Sequence, residues 1–97
     1  MIHEFVTFRF KPEITADQQQ ETMGALGRLL AHHDGLLGRD VYVDDEGHWI
    51  DHVRWATLEA AQASAAALQE HADAAPLLAR FDLAATRLAH YRHVALD

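Results

Sequence analysis

The sequence predicts an α+β domain in which a four-stranded antiparallel sheet carries two helices on one face, and three observations support it. Residues 2–10, Ile-His-Glu-Phe-Val-Thr-Phe-Arg-Phe, mix aromatic and β-branched residues at strand length. Two stretches with apolar residues at helical spacing follow, each preceded by a threonine able to cap it. Between the helices lie two strand-like runs joined by the short segment Asp45-Glu-Gly47, and a last strand-like run closes the chain.

Length and composition fit this class. Ninety-seven residues suit a single domain spanning 1–97. A chain this short buries a modest share of its surface, and without cysteine it has no disulfide or thiolate metal site to compensate. A homodimer is therefore expected. The net charge is −7 and the eight Lys and Arg residues are dispersed, which argues against nucleic acid as a partner. No apolar run approaches the roughly 18 residues of a membrane span, and the opening Met1-Ile-His-Glu-Phe lacks the basic start and apolar run of a secretory signal. A cytoplasmic protein that does not engage membranes is the expectation. Eight histidines are the compositional oddity; protonating them all would shift the formal charge by eight units, which would make stability or dimerisation respond to acid, whereas the favoured alternative is that five or more of them are simply solvated, as His32-His33 near a helix end suggests.

The first strand is expected to stop at Lys11-Pro12. Thr15-Ala-Asp-Gln18 has the form of a capping box, and Met23, Leu26, Leu29 and Leu30 recur at helical spacing, predicting a helix over 16–33 that ends before Gly35. Gly27 lies at the edge of the apolar stripe, where it would admit a close neighbour or a ligand. Strands are expected over 38–44 and 48–55, antiparallel across Asp45-Glu-Gly47. Thr57 caps a second helix whose Leu58, Ala61, Ala65 and Leu68 share one shallow apolar face. Asp73 and Pro76 introduce a helical turn over 74–80, and the last strand is expected over 84–95. The order β-α-β-β-α-β is the ferredoxin-like plan. Neither face of the first strand, Glu4-Val6-Phe8-Phe10 or His3-Phe5-Thr7-Arg9, is uniformly polar. With helices for only one face, the other face predicts a partner sheet.

The chain resembles the dimeric α/β-barrel proteins, most of all their antibiotic-biosynthesis-monooxygenase-like branch. The resemblance is carried by Gly47-His-Trp49-Ile-Asp51-His-Val53-Arg-Trp55, Leu58-Glu-Ala-Ala61, Phe81-Asp82 and His90. The opening Phe8-Arg-Phe-Lys11-Pro-Glu-Ile-Thr15 is also similar to the stress-responsive barrel branch, which includes a plant polyketide cyclase. The resemblance implies two sheets packed face to face across a two-fold axis, with a pocket in each subunit between its own sheet and helices.

Departures from these relatives narrow the chemistry. Haem-degrading relatives use an Asn on the first strand and a Trp on the second helix, and both are missing here. In the stress-responsive branch a His commonly lies seven residues before the Lys that ends the first strand, whereas His3 lies eight before Lys11; the slip turns it to the opposite face unless a bulge intervenes. The cyclase-like His-Pro-x-His segment survives only as His71-Ala-Asp-Ala74, without the second His.

On the third strand Trp49, Asp51, Val53 and Trp55 share one face, and the resemblance turns that face to the helices and the pocket. There the indoles would wall a planar aromatic substrate while Asp51, if desolvated, would act as a base. The alternative makes the tryptophans core and pairs Asp51 with an Arg across the sheet. Val6, Phe8 and Met23 are further candidates for the substrate-binding surface. His71 would close over the pocket or interact with its helix end, and either His90 or Tyr91 points inward, with His90 preferred. His90 and His93 lie on opposite faces and make no metal pair. No cofactor and no metal are expected: the sequence has no glycine-rich phosphate loop and no thiol nucleophile. The expected function is a cofactor-independent enzyme, monooxygenase-like or cyclase-like, acting on a small hydrophobic, aromatic or polyketide-like molecule. Its alternative is a non-catalytic ligand-binding or dimerisation protein of the same fold.

Overall fold

A computed structural model describes residues 1–97. The strands β1 (Ile2–Phe8), β2 (Leu36–Val43), β3 (Trp49–Trp55) and β4 (Arg87–Tyr91) form one antiparallel sheet in the order β2-β3-β1-β4. Helices α1 (Ala16–Leu30) and α2 (Leu58–Glu70) and a single turn, α3 (Ala75–Leu78), complete the predicted plan. The capping box forms: Thr15 Oγ1 accepts from the Gln18 N–H, and Gln18 Oε1 accepts from the Thr15 N–H. Thr57 Oγ1 accepts from the Ala60 N–H and starts α2 in the same way. Each such cap contributes about 1 kcal/mol.

Element ends differ from the sequence expectation for local reasons. β1 leaves the sheet at Phe8 because β3 begins opposite it at Trp49. The chain then pairs with another segment: Phe10 bridges Phe81, the Lys11 N–H donates to Arg80 O, and the Asp82 N–H donates to Arg9 O. Helix α1 ends three residues early, as the His33 N–H closes a tight turn on Leu30 O and Gly35 takes a φ of 82°. A side chain at Gly35 would in addition meet Ala60 Cβ at 2.7 Å. β2 starts earlier than expected, with an irregularity between Leu36 and Gly38. β4 is shorter at both ends. Asp82 caps the 3-10 turn Leu83–Ala85, and pairing stops at His3↔Tyr91, one residue short of the start of β1.

Alternation along the strands sorts two faces. Towards the helices point Phe8, Trp49, Val53 and Trp55, which join Phe10, Met23, Leu26, Leu30, Ala61 and Phe81 in two adjoining clusters. Truncating one of these tryptophans to Ala would cost about 3–5 kcal/mol. Trp55 is 1% exposed and its indole N–H is buried without a partner.

The opposite face has no helix. Across it the register sets His3 and Phe5 of β1 beside His52 and Arg54 of β3, Asp40 and Tyr42 of β2, and Ala89 and Tyr91 of β4. Phe5 stacks on His52 and meets Tyr91 edge-on, yet Tyr42 is 58% and Tyr91 52% exposed. His3 Nδ1 lies 2.8 Å from His52 Nε2, so one of the two nitrogens must lack a proton while that bond lasts.

Burial first, then the positive charges of Arg54 and His3, push the His52 pKa below its ordinary value of 6.5. The unfolded chain therefore takes up this proton at a higher pH than the folded chain. The stability His52 contributes is whole above about pH 6.5 and is lost as pH falls through the lowered folded value. Thermal melts between pH 8 and 5 should show the midpoint falling below that pH, with a shallower fall in His52→Phe. Equal slopes in the two proteins would contradict this.

Candidate functional site

Between the helix-facing side of the sheet and the helices lies a cavity of about 290 Å³. β1 contributes Glu4, Val6 and Phe8, β3 contributes Asp51 and Val53, and β4 contributes Leu88. Helix α1 supplies Leu26 and Leu30, while α2 supplies Ser64, Ala65, Leu68 and Gln69. Leu78, Phe81, Leu83 and Thr86 of the segment leading to β4 line the remainder. The space follows from composition, since α2 presents Ala61, Ser64 and Ala65 where larger residues would fill the gap. The walls are mainly apolar, and two carboxylates face the interior.

The two carboxylates are held differently. Asp51 is gripped by Arg39 of β2: Nε donates to Oδ1 at 3.0 Å and Nη2 to Oδ2 at 2.9 Å, a bidentate pair. Arg39 Nη1 donates in addition to Met23 O of α1 at 3.0 Å. Gly27 makes this possible, because a Cβ there would lie 2.6 Å from Arg39 Nη1. The sequence left open whether Gly27 admits a neighbour or a ligand, and the neighbour is the guanidinium. Glu4 is 8% exposed and bound only through Oε2, which accepts from His90 Nε2 at 2.8 Å. The bond joins β1 to β4 across the register pair Glu4↔His90. Oε1 of Glu4 has no hydrogen-bond partner in the protein.

The predicted site residues separate into two groups. Asp51, Val6 and Phe8 line the cavity, and His90 touches it through Glu4. Trp49, Trp55 and Met23 do not line it. Trp49 packs with Phe8, Phe10 and Phe81 and donates its indole N–H to Gln19 Oε1; Met23 is in the same cluster and Trp55 in the neighbouring one. The indoles expected as substrate walls are thus core side chains: Trp49 lies among Met23 and Leu26 of α1, and Trp55 among Leu30 of α1 and Ala61 of α2. His71 ends α2 in the open, its Nδ1 accepting from the Asp73 N–H, so it does not close over the cavity. Glu4 was missed as a site residue; the signal available was a lone carboxylate on the Val6-Phe8 face of a strand. No three His, Asp or Glu side chains are grouped to hold a metal ion. A larger and more open groove of about 480 Å³ lies outside α2, around the His33–Ser64 contact, and is lined mostly by small residues.

The Arg39 grip gives an unusual expectation for Gly27→Ala. Alanine is the better helix former by about 1 kcal/mol, but its methyl would crowd Arg39 Nη1 and disturb its hydrogen bond to Met23 O, a charge-assisted bond worth about 1.5–3 kcal/mol. Chemical denaturation should therefore show net destabilisation of roughly 1 kcal/mol. A variant more stable than the parent would show that Arg39 moves aside without loss.

No protein-family model and no curated protein matches the chain. Solved structures do. An antibiotic biosynthesis monooxygenase superposes with a TM-score of 0.75 at 17% identity, covering 98% of this chain and all of the other (100%). A Nitrosomonas europaea protein whose name assigns it provisionally to the same monooxygenases gives 0.75 at 16% identity, over 98% of this chain and 100% of that one. An Arabidopsis thaliana protein gives 0.79 at 12% identity, over 100% and 99%. At these identities the likeness is one of fold, and it extends over the whole domain. The chain thus has the ferredoxin-like α+β fold, which it shares with these structures.

Proposed function

We propose that the chain is a cofactor-independent enzyme, monooxygenase-like or cyclase-like, that acts on a small aromatic or polyketide-like molecule held in the cavity between sheet and helices. One observation carries the reading: a mainly apolar cavity of about 290 Å³ into which two carboxylates converge, one of them without an Arg or Lys partner. An apolar enclosure with a few placed polar groups is the usual form of a small-molecule site. A carboxylate in such surroundings is able to take a proton from a carbon or phenolic acid. The resulting carbanion or phenolate would react with dioxygen or cyclise. The names of the neighbouring structures favour the oxygenase.

The non-catalytic alternative has its own support. Asp51 is already committed to Arg39, and His71 and the two tryptophans lie away from the cavity. A ligand-binding protein would have this shape too.

The proposal includes a homodimer through the open sheet face, where Phe5, Tyr42, Ile50 and Tyr91 offer apolar surface that no helix covers. Cytoplasmic residence belongs to the same reading. No helix is long and apolar enough to cross a membrane. Anthrone or quinol should be consumed with stoichiometric dioxygen uptake in the presence of a metal chelator and no added cofactor. Saturable binding without turnover would favour the ligand-binding protein. Sedimentation at micromolar concentration should give a dimer, with Ile50→Arg shifting it to monomer; a monomeric parent protein contradicts the dimer.

A further inference from the structure

Glu4 is the cavity's one carboxylate with a free oxygen. Its Cα sits between β3 and β4 partners, Val53 and His90, in the interior of the sheet, so the backbone beneath it is fixed on both sides. His90 takes Oε2 at 2.8 Å, which leaves Oε1 as the atom able to meet a bound molecule. Asp51, the other carboxylate at the wall, has both oxygens occupied by Arg39. The two acids thus have divided roles: one is neutralised by a guanidinium, while the other is oriented by an imidazole that carries an N–H but leaves one oxygen uncommitted.

Building on the cavity reading above, we propose that Glu4 is the proton acceptor of the site and that His90 is its positioning residue. The substrate class follows from the same surroundings. The cavity wall holds two carboxylates and the chain has a net charge of −7, which disfavours an anionic substrate. Val6, Phe8, Leu68 and Phe81 offer apolar contact. The molecule that fits is uncharged, planar and aromatic, with one weakly acidic C–H or O–H. In the step itself, that bond breaks, its electron pair stays on the substrate, and the proton moves to Glu4 Oε1, from which it returns to product or solvent. His90 touches no reacting atom. Its hydrogen bond holds the carboxylate in the rotamer that aims Oε1 inward.

A generic carbon acid tests this without knowledge of the natural substrate. In 5-nitrobenzisoxazole, removal of the C3 proton forms the nitrile and breaks the N–O bond, releasing a coloured cyanonitrophenolate. The parent protein should accelerate the reaction saturably. Glu4→Gln should lose roughly a hundredfold or more in kcat, the usual contribution of a positioned base, and Glu4→Asp should fall between the two. His90→Ala should lower kcat with KM little changed, and His90→Gln, whose amide still donates, should restore much of it. Unfolding midpoints identify any variant that fails to fold, in which case the Glu4→Asp and His90 pair decide. Full activity in folded Glu4→Gln overturns the assignment and leaves the cavity reading standing with another base. Equal loss in His90→Ala and His90→Gln overturns the positioning role. Saturable binding of the probe with no acceleration overturns Glu4 as acceptor, whereas no binding at all removes the cavity reading and this inference with it.

Discussion

A guanidinium placed beneath the first helix organises one side of this domain. Arg39 reaches from an outer strand across Asp51 of its neighbour and on to the Met23 carbonyl of α1, so three elements meet at one side chain. The contact needs Gly27, because any larger residue would occupy the space of the guanidinium. A charge buried this deeply is tolerable only when paired and fully hydrogen-bonded, and breaking such a pair is far costlier than never having built it. The helix is thereby held at a set height over β2 and β3. Beside it, the small residues of α2 leave the space between sheet and helices incompletely filled.

That pair also determines what chemistry the cavity retains. By taking both oxygens of Asp51, it removes the carboxylate that the strand pattern made most conspicuous. Glu4 lies on β1, next to β3 in the sheet, and no Arg or Lys reaches it; its partner is the His90 imidazole. The protein therefore presents two acids on one wall in different states of engagement. On the other side of the sheet the His3–His52 contact and the stacked Phe5 create a second environment, away from the cavity.

Most of the architecture could be read from the residues because it depends on local rules. The capping box at Thr15, the cap at Thr57 and the alternation Trp49-Asp51-Val53-Trp55 each specify their geometry from a few neighbouring positions. Where the reading slipped, the deciding partner was distant in sequence. Nothing near Phe8 indicates that the chain will turn to Phe81, and nothing near Tyr91 indicates that its ladder with β1 ends at His3. The site was legible in the same proportion. Its location between sheet and helices, the inward face of β3 and the inward His90 followed from pattern and resemblance. The Arg39–Asp51 pair and the Glu4–His90 bond join residues far apart in the chain, and the packing of Trp49 and Trp55 into the core depends on how closely α1 approaches. The solved structures of similar shape confirm the fold and leave the chemistry to these side chains.

The central claim is that the cavity beside Glu4 takes an uncharged aromatic molecule with its polar end at the free carboxylate oxygen. A crystal structure with 2-naphthol tests it most directly. The account predicts the rings between Val6, Phe8 and Leu68, with the hydroxyl donating to Glu4 Oε1 and the Arg39–Asp51 pair undisturbed. Naphthol seated only in the outer groove around His33 and Ser64, or a cavity closed by side chains, would contradict it.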